Sequence, residues 1–275
     1  MARFPDHPAI RPVVISGASS GIGAATAHEF AGHGYPVMLG ARRVERCDQI
    51  VEVLRAQGAT AAAAPLDVTI PESVATFVDA AEHAHGPIEI AVANAGTVGP
   101  IRADAHPDDF VAQIASNLLG AQSLVSRVLP GMVARGRGDI VFVSSDSALR
   151  PRTYMAGYAA AKAGLEAFAA VMRSELEGTG VRVSIIRPGP ASTEQGTTWD
   201  VPTVEAVIES WEGFGFLRHD GALQASQIAN AIAYVATAPR GAFISELEIQ
   251  PEAPLNSGKS PHLREVPVSP KETQS

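Results

Sequence analysis

The chain predicts an α/β fold, a doubly wound parallel sheet of seven strands with helices on both faces. Two patterns carry that expectation. Short apolar segments alternate with longer helical ones along most of the 275 residues, as strands covered on both faces and their crossover helices do. The first apolar segment also runs directly into a glycine-rich turn and a helix start, Val13-Val14-Ile15-Ser16-Gly17-Ala18-Ser19-Ser20-Gly21-Ile22-Gly23. That order points backbone N–H groups and the positive helix end at an anion.

The elements follow in order. The strand at 13–16 is followed by a helix at 22–33, which Gly34 stops, and by a strand at 35–40. A helix at 44–57, stopped by Gly58, leads to a strand at 61–66, a helix at 71–85 and a strand at 88–93. One long helix is expected at 107–134, then a strand at 138–145 holding Val141-Phe142-Val143 and a helix at 154–178. A strand at 181–186, a helix at 224–238 and a strand at 243–249 complete the series. The alternation favours one domain over 1–250. Residues 251–275 hold five of the twenty prolines with Ser, Lys and Glu, and read as a flexible tail or an arm laid on a neighbouring subunit.

Composition sets limits on function. A net charge of −8 argues against a nucleic-acid surface, which needs clustered cations. The lone Cys47 forms no internal disulfide, and no Cys/His cluster suggests a metal. There is neither an 18-residue apolar run nor a signal-like N-terminus. The composition agrees with a soluble, cytoplasmic enzyme.

The chemistry concentrates in Tyr158-Ala159-Ala160-Ala161-Lys162. Positions i and i+4 share a helix face, which sets an ammonium beside a phenol. A phenol ionises near pH ~10, and a neighbouring cation favours its anion. The pair therefore suits proton transfer in carbonyl–alcohol chemistry. Alone it would be an amphipathic Tyr beside a solvated Lys; the glycine-rich turn upstream, with Gly17, Gly21 and Gly23, supplies the context of a dinucleotide site.

With these motifs the chain resembles the short-chain dehydrogenase/reductase family from about Arg11 to Pro251. The family pairs a Thr-Gly-x-x-x-Gly-x-Gly turn with Tyr-x-x-x-Lys and a serine thirteen residues before the tyrosine, here Ser145. Asn94-Ala95-Gly96 matches most of its Asn-Asn-Ala-Gly segment, and Asn117 falls where its asparagine is expected. Pro188-Gly189 with Thr193 is similar to its Pro-Gly-x-x-x-Thr. Ser16 and Ala93 depart from the pattern, replacing Thr and Asn.

The resemblance implies roles. Tyr158 is the acid in reduction and the base in oxidation, and Lys162 lowers its pKa and holds the nicotinamide ribose. Ser145 hydrogen-bonds the substrate oxygen, and Asn117 anchors a water; a helix-interior Asn facing solvent is the alternative. Ser19, Ser20 and Ile22 belong to the phosphate turn. Asp67 and Val68 sit where the family holds adenine, although Asp67 also suits a cap or turn. Asn94 is a turn former or a structural hydrogen bonder beside the cofactor. Ser144, Ser147 and Tyr154 are expected to be structural, as is the lone His219.

Cofactor choice turns on the end of the second strand, Leu39-Gly40-Ala41-Arg42-Arg43. Ala41 stands where a carboxylate would select NAD, and Arg42 follows where NADP-preferring members carry a base. NADP(H) is expected, with Arg43 either joining Arg42 or remaining a solvated charge. The family's substrate lid maps to 193–221, with Trp199, Trp211, Phe214 and Phe216. Those aromatics suit an apolar carbonyl substrate, or pack the lid against the body. The alanine-rich run Tyr158 to Met172 predicts a helix covered on two sides, hence a homo-oligomer and most simply a tetramer.

Two other classes compete. Gly17-Ala18-Ser19-Ser20-Gly21 also fits a hydrolase nucleophile elbow at Ser19, yet it follows the first strand and leaves Ser145, Tyr158 and Lys162 unexplained. A dinucleotide sensor without catalysis would be expected to carry a damaged Tyr or Lys, and both are intact.

Overall fold

A computed structural model describes residues 6–194, 199–217 and 219–254. The strands are β1 (Val13–Ser16), β2 (Val37–Ala41), β3 (Ala61–Pro65), β4 (Ile90–Ala93), β5 (Gly138–Val143) and β6 (Val181–Pro188), a two-residue pair β7 (Ala191–Ser192) and β8 (Leu223–Gln224), and β9 (Glu246–Ile249). The helices are α1 (Gly21–Gly32), α2 (Val44–Ala56), α3 (Pro71–His85), α4 (Pro107–Ile114), α5 (Gly120–Ala134), α6 (Ala156–Glu175), α7 (Val201–Gly213) and α8 (Ala225–Thr237).

Seven strands form one sheet in the order β3-β2-β1-β4-β5-β6-β9, every pair parallel. This is the Rossmann-like architecture that the alternation predicts. Val13 pairs with Val37 on one side and Ile90 on the other, so β1 is central. One face of the sheet buries Phe77, Leu124, Met132, Phe142 and Leu165 under α3, α5 and α6. The other buries Phe30, Leu39, Leu54, Ile90 and Ile232 under α1, α2 and α8. Because strand order reverses between β1 and β4, a crevice opens at their carboxyl ends, where ligands bind in such sheets.

Three boundaries depart from the sequence expectation. The helix predicted over 107–134 is two helices joined by a π-helical turn, Ala115–Leu119. Within it, Asn117 Nδ2 donates to the Gln113 carbonyl at 2.9 Å, drawing that carbonyl into a side-chain bond in a wider turn. The strand predicted to Ser145 ends at Val143. Ser145 instead caps a 3₁₀ turn, Asp146–Ala148, its Oγ accepting from the Ser147 N–H at 3.1 Å. Helix α7 was not anticipated, although its signal is visible: Asp200 caps it by accepting from the Thr203 N–H at 2.8 Å, and Pro202 stands in the first turn.

Residues 251–254 have no regular structure. The rest of the predicted tail, 255–275, and parts of the predicted lid (195–198 and 218) lie outside the described residues. Among the described residues, no helix is long and apolar enough to cross a membrane.

Candidate active site

The glycine-rich turn links β1 to α1 and is braced from β4. Gly17 and Gly21 have φ of +70° and +54°, the left-handed region that favours glycine. A Cβ on Gly23 would stand 2.3 Å from the Gly17 carbonyl oxygen, and one on Gly17 2.8 Å from Ala95 Cα. Asn94 Nδ2 donates to the carbonyls of Ser16 (3.0 Å) and Gly17 (3.2 Å). The Ser16 hydroxyl accepts from the N–H groups of Asn94 (3.1 Å) and Ala95 (3.0 Å). So serine in the usual threonine position still ties the two strand ends together, and Asn94 is a structural hydrogen bonder. Thr193, beyond Pro188-Gly189, packs over the turn: a Cβ on Gly21 would lie 3.5 Å from its Cβ. The Gln250 side-chain amide lies against Gly189, where a Cβ would meet its Oε1 at 2.1 Å unless that side chain moved aside.

Basic residues gather beside this turn. One Arg43 nitrogen lies 3.2 Å from Ser19 Oγ, 3.3 Å from Ser20 Oγ and 3.3 Å from a Glu194 carboxylate oxygen. Arg46 donates to the same carboxylate at 2.9 and 3.0 Å. Arg43, which the sequence left open as a solvated charge, is thus aimed at the turn, while Arg42 acts on Asp67. Asp67 itself accepts from Thr69 through the backbone N–H (3.0 Å) and the hydroxyl (2.6 Å), and these bonds hold its carboxyl below the usual range. That is the turn-forming arrangement. Val68 is buried against Gly120, where a Cβ would stand 2.4 Å from its Cγ2.

The structure brings Ser145, Tyr158 and Lys162 together at the carboxyl end of β5, with Asn117 facing them. Tyr158 is buried beside Ser145. Lys162 Nζ donates to the Val143 carbonyl at 2.7 Å and lies 5.5 Å from the Tyr158 ring centre. Asn117 is fully buried; its Nδ2 donates to the Thr97 carbonyl at 2.7 Å, whereas its Oδ1 has no partner among the described residues. A Cβ on Gly96 would stand 2.4 Å from that Oδ1 and 3.7 Å from Lys162 Nζ, so the orphaned acceptor and the ammonium flank one small space. A buried acceptor without a donor is costly, and this one suits a water or a hydroxyl.

Electrostatics differ from the expectation for Tyr158. Burial, helped by the Asp146 charge, pushes the phenol up to about 12, with Ser145 and Arg152 acting the other way. Burial pulls Lys162 down to about 8, opposed by Glu166. Desolvation therefore dominates both groups, and Lys162 Nζ is engaged by the Val143 carbonyl rather than by the phenol.

The nearby decoys are resolved individually. Ser144 donates to Glu166 at 2.6 Å, and Glu166 pairs with Arg187 at 2.7 Å; this serine braces α6 from the opposite face. Ser147 orients Ser145 through its backbone N–H. His219 Nδ1 accepts from the Gly221 N–H at 3.1 Å, a local turn bond. Tyr154 stands at φ +63°, unusual for a bulky residue. With Arg102, Asp104, His106, Asp109 and Pro202 it lines a cleft of about 470 Å³. Trp211 donates from Nε1 to the Thr153 carbonyl at 2.8 Å, so this aromatic packs α7 against the body; Phe214 and Phe216 stack on each other. Sequence reasoning missed Asp146 and Arg152, which pair at 2.6 Å beside Ser145.

Comparisons with known proteins agree with this geometry. The family model described as short chain dehydrogenase matches residues 11–201. Over 239 residues the chain is 33% identical to glycine betaine reductase of Emericella nidulans, covering 86% of this chain and 18% of that protein's length. It is 33% identical over 242 residues to sulfoacetaldehyde reductase 2 of Chromohalobacter salexigens, covering 87% and 93% of the two chains. The crystal structure of an alcohol dehydrogenase from Thermococcus sibiricus complexed with 5-hydroxy-NADP superposes with a TM-score of 0.75 at 29% identity, covering 87% of this chain and 96% of that one.

Proposed function

The chain belongs to the short-chain dehydrogenase family, and from that premise we propose that it is an NADP(H)-dependent oxidoreductase interconverting a carbonyl and an alcohol, with Tyr158 as general acid and base. The observation that carries the reading is the buried phenol of Tyr158, set beside Ser145 and followed one helical turn later by Lys162. When bound, the nicotinamide cofactor supplies or accepts the hydride. Charge then develops on the substrate oxygen, and the chain's part is to hold that oxygen and move one proton. Ser145 Oγ donates a hydrogen bond to the oxygen. Tyr158 gives its hydroxyl proton in reduction and takes one back in oxidation. Lys162 stabilises the phenolate, and Asn117 Oδ1 holds a water that connects the ammonium to solvent.

Gly17, Ser19, Ser20, Gly21, Ile22 and Gly23 would receive the pyrophosphate, with Thr193 and Pro188-Gly189 closing over it and Asn94-Ala95-Gly96 beside the ribose. Asp67 and Val68 would flank the adenine. Preference for NADP(H) is supported by the donors that converge on the Glu194 carboxylate, Arg43 and Arg46, because such a set also suits a phosphate. Arg43→Ala is expected to raise KM for NADPH about tenfold or more, the worth of a charged hydrogen bond, with NADH changed less than about twofold; Arg42→Ala should move in the same direction. Steady-state kinetics with both cofactors checks this, and equal efficiency with NADH in the unmodified enzyme overturns the preference.

The activity itself is tested by cofactor oxidation against a broad panel of aldehydes and ketones. The panel should include the apolar carbonyl compounds that the aromatics in and after α7 suggest. No turnover of any member with either cofactor counts against catalysis and favours a dinucleotide-binding sensor.

The outward face of α6 supports assembly into a homotetramer. Ala160, Ala163, Ala167, Ala170 and Val171 are exposed there, and Leu119 is exposed nearby. A smooth, uncharged stripe of this kind lets a second helix approach closely. Light scattering is expected to return about four times the 28.6 kDa chain mass; a sharp monomer at micromolar concentration refutes it.

A further inference from the structure

We infer that Arg152 is a positioning residue for the reaction: it neutralises the buried Asp146 carboxylate beside Ser145 and Tyr158 and, by stacking on Trp211, ties helix α7 to the rim of the site. The inference rests on the proposed acid–base role of Tyr158.

The Asp146 side chain is 4% exposed and follows Ser145 directly. A carboxylate that deep needs a cation or strong donors. Arg152 supplies both, its two terminal nitrogens donating to Oδ1 at 2.8 Å and Oδ2 at 2.6 Å in the fork geometry of a guanidinium–carboxylate pair. The same guanidinium donates to Ser147 Oγ at 2.9 Å, and the Ser147 N–H in turn donates to Ser145 Oγ at 3.1 Å. The pair therefore holds the turn that aims the Ser145 hydroxyl.

The outer side of Arg152 meets α7. Its Cζ lies 5.7 Å from the Trp211 ring centre, within cation–π range. Trp211 Nε1 donates to the Thr153 carbonyl at 2.8 Å, and the Thr153 and Ser210 hydroxyls are 2.7 Å apart. Neighbouring residues on each side thus make three contacts that join α7 to the loop after Asp146. One guanidinium spans the interval from the serine turn to the helix above it.

The charged groups that face Tyr158 are Lys162 from its own helix, Asp146 from the 3₁₀ turn and Arg152 from the following loop. Asp146 disfavours the phenolate and Arg152 favours it. With both present the two effects oppose each other. Without the Arg152 charge, Asp146 stands alone and the phenol holds its proton to higher pH. Without the Asp146 charge, Arg152 stands alone and the phenol ionises at lower pH. A residue that merely supported the fold would not produce shifts of opposite sign.

The test compares Arg152→Met, Asp146→Asn, the double variant and Tyr158→Phe as full-length protein. Its kinetic readout is the pH profile of alcohol oxidation, using the alcohol of the best carbonyl in the panel. Oxidation needs the phenolate, so its rate rises with pH through the ionisation of Tyr158. The rising limb is expected to move up by roughly one pH unit in Arg152→Met and down by roughly one in Asp146→Asn, with the double variant returning near the unmodified position. At a fixed pH on the limb, one unit is a tenfold change in rate. In a Trp199→Phe background, acrylamide quenching of Trp211 is expected to increase about twofold in Arg152→Met, as the stacked cation is lost. If Arg152→Met fails to fold, Asp146→Asn and the double variant, which leaves no buried unpaired charge, still decide the sign. Profiles that overlay, or that shift in the same direction, overturn the inference while Tyr158→Phe remains inactive. Activity in Tyr158→Phe would instead overturn the catalytic reading beneath it.

Discussion

In Tyr158→Phe, turnover is expected to fall by about three orders of magnitude, within the range that a positioned general acid–base contributes, while the cofactor dissociation constant stays within about twofold. The substitution removes one hydroxyl and keeps the ring. The ring is buried and fills the same space, so folding should be little affected. What disappears is the only proton-bearing group of the side chain, which stands beside Ser145. The glycine-rich turn and the Arg43–Arg46 cluster, which would hold the cofactor, make no contact with that hydroxyl. Cofactor titration by fluorescence and initial-rate measurement on the same preparation separate binding from chemistry. Near-normal turnover would rule out Tyr158 as the proton donor.

The largest stability effect is expected at the other end of the sheet. Asp139 on β5 accepts from Arg11, just ahead of β1, and from Arg182 on β6 at 2.6 Å; the Arg11 and Asp139 side chains are 1% and 3% exposed. Asp139→Ala leaves a fully buried guanidinium with the Ala236 carbonyl as its remaining strong acceptor. Breaking a buried pair in this way costs about 3–5 kcal/mol, roughly 10 °C in Tm for a chain of this size. The pair Arg11→Met with Asp139→Leu should recover much of the loss, because neither charge is then buried. Calorimetry checks both. The pair lies at the amino ends of the strands, opposite the site, so kcat below the transition should be unchanged. A Tm drop under about 2 °C would show that the arginines find other partners.

Much of this was legible beforehand for reasons that can be named. The seven strands were placed within a few residues because parallel strands are short apolar runs. Gly34 and Gly58 mark the ends of α1 and α2 with φ of +77° and +86°, a conformation that sequence can announce because few other residues adopt it. Tyr158 and Lys162 share a face by covalent spacing alone. The π-helical turn at 115–119 was not legible, since it depends on where the Asn117 amide finds its acceptors, Gln113 four residues back and Thr97 twenty back. Helix α7 had a readable start at Asp200 and Pro202 but sat within a stretch read as lid.

What the sequence by itself determined is therefore local and periodic: the alternation of strands and helices, the glycine-rich turn, and the Tyr158–Lys162 face. Those features follow from interactions within about one helical turn or one strand, so neighbours in the chain suffice to specify them. Tertiary structure alone decided the aim of Arg43 at Ser19 and Ser20, the brace of Asn94 on Ser16 and Gly17, and the contacts linking Asp146, Arg152 and Trp211. It also decided the state of Tyr158, which burial drives up against the opposing pull of Ser145 and Arg152. These depend on desolvation and on groups up to 78 residues apart in the chain. No local pattern encodes either: charge and hydrogen-bonding energies depend on which surfaces exclude water, and that is settled only when the sheet and its helices have packed.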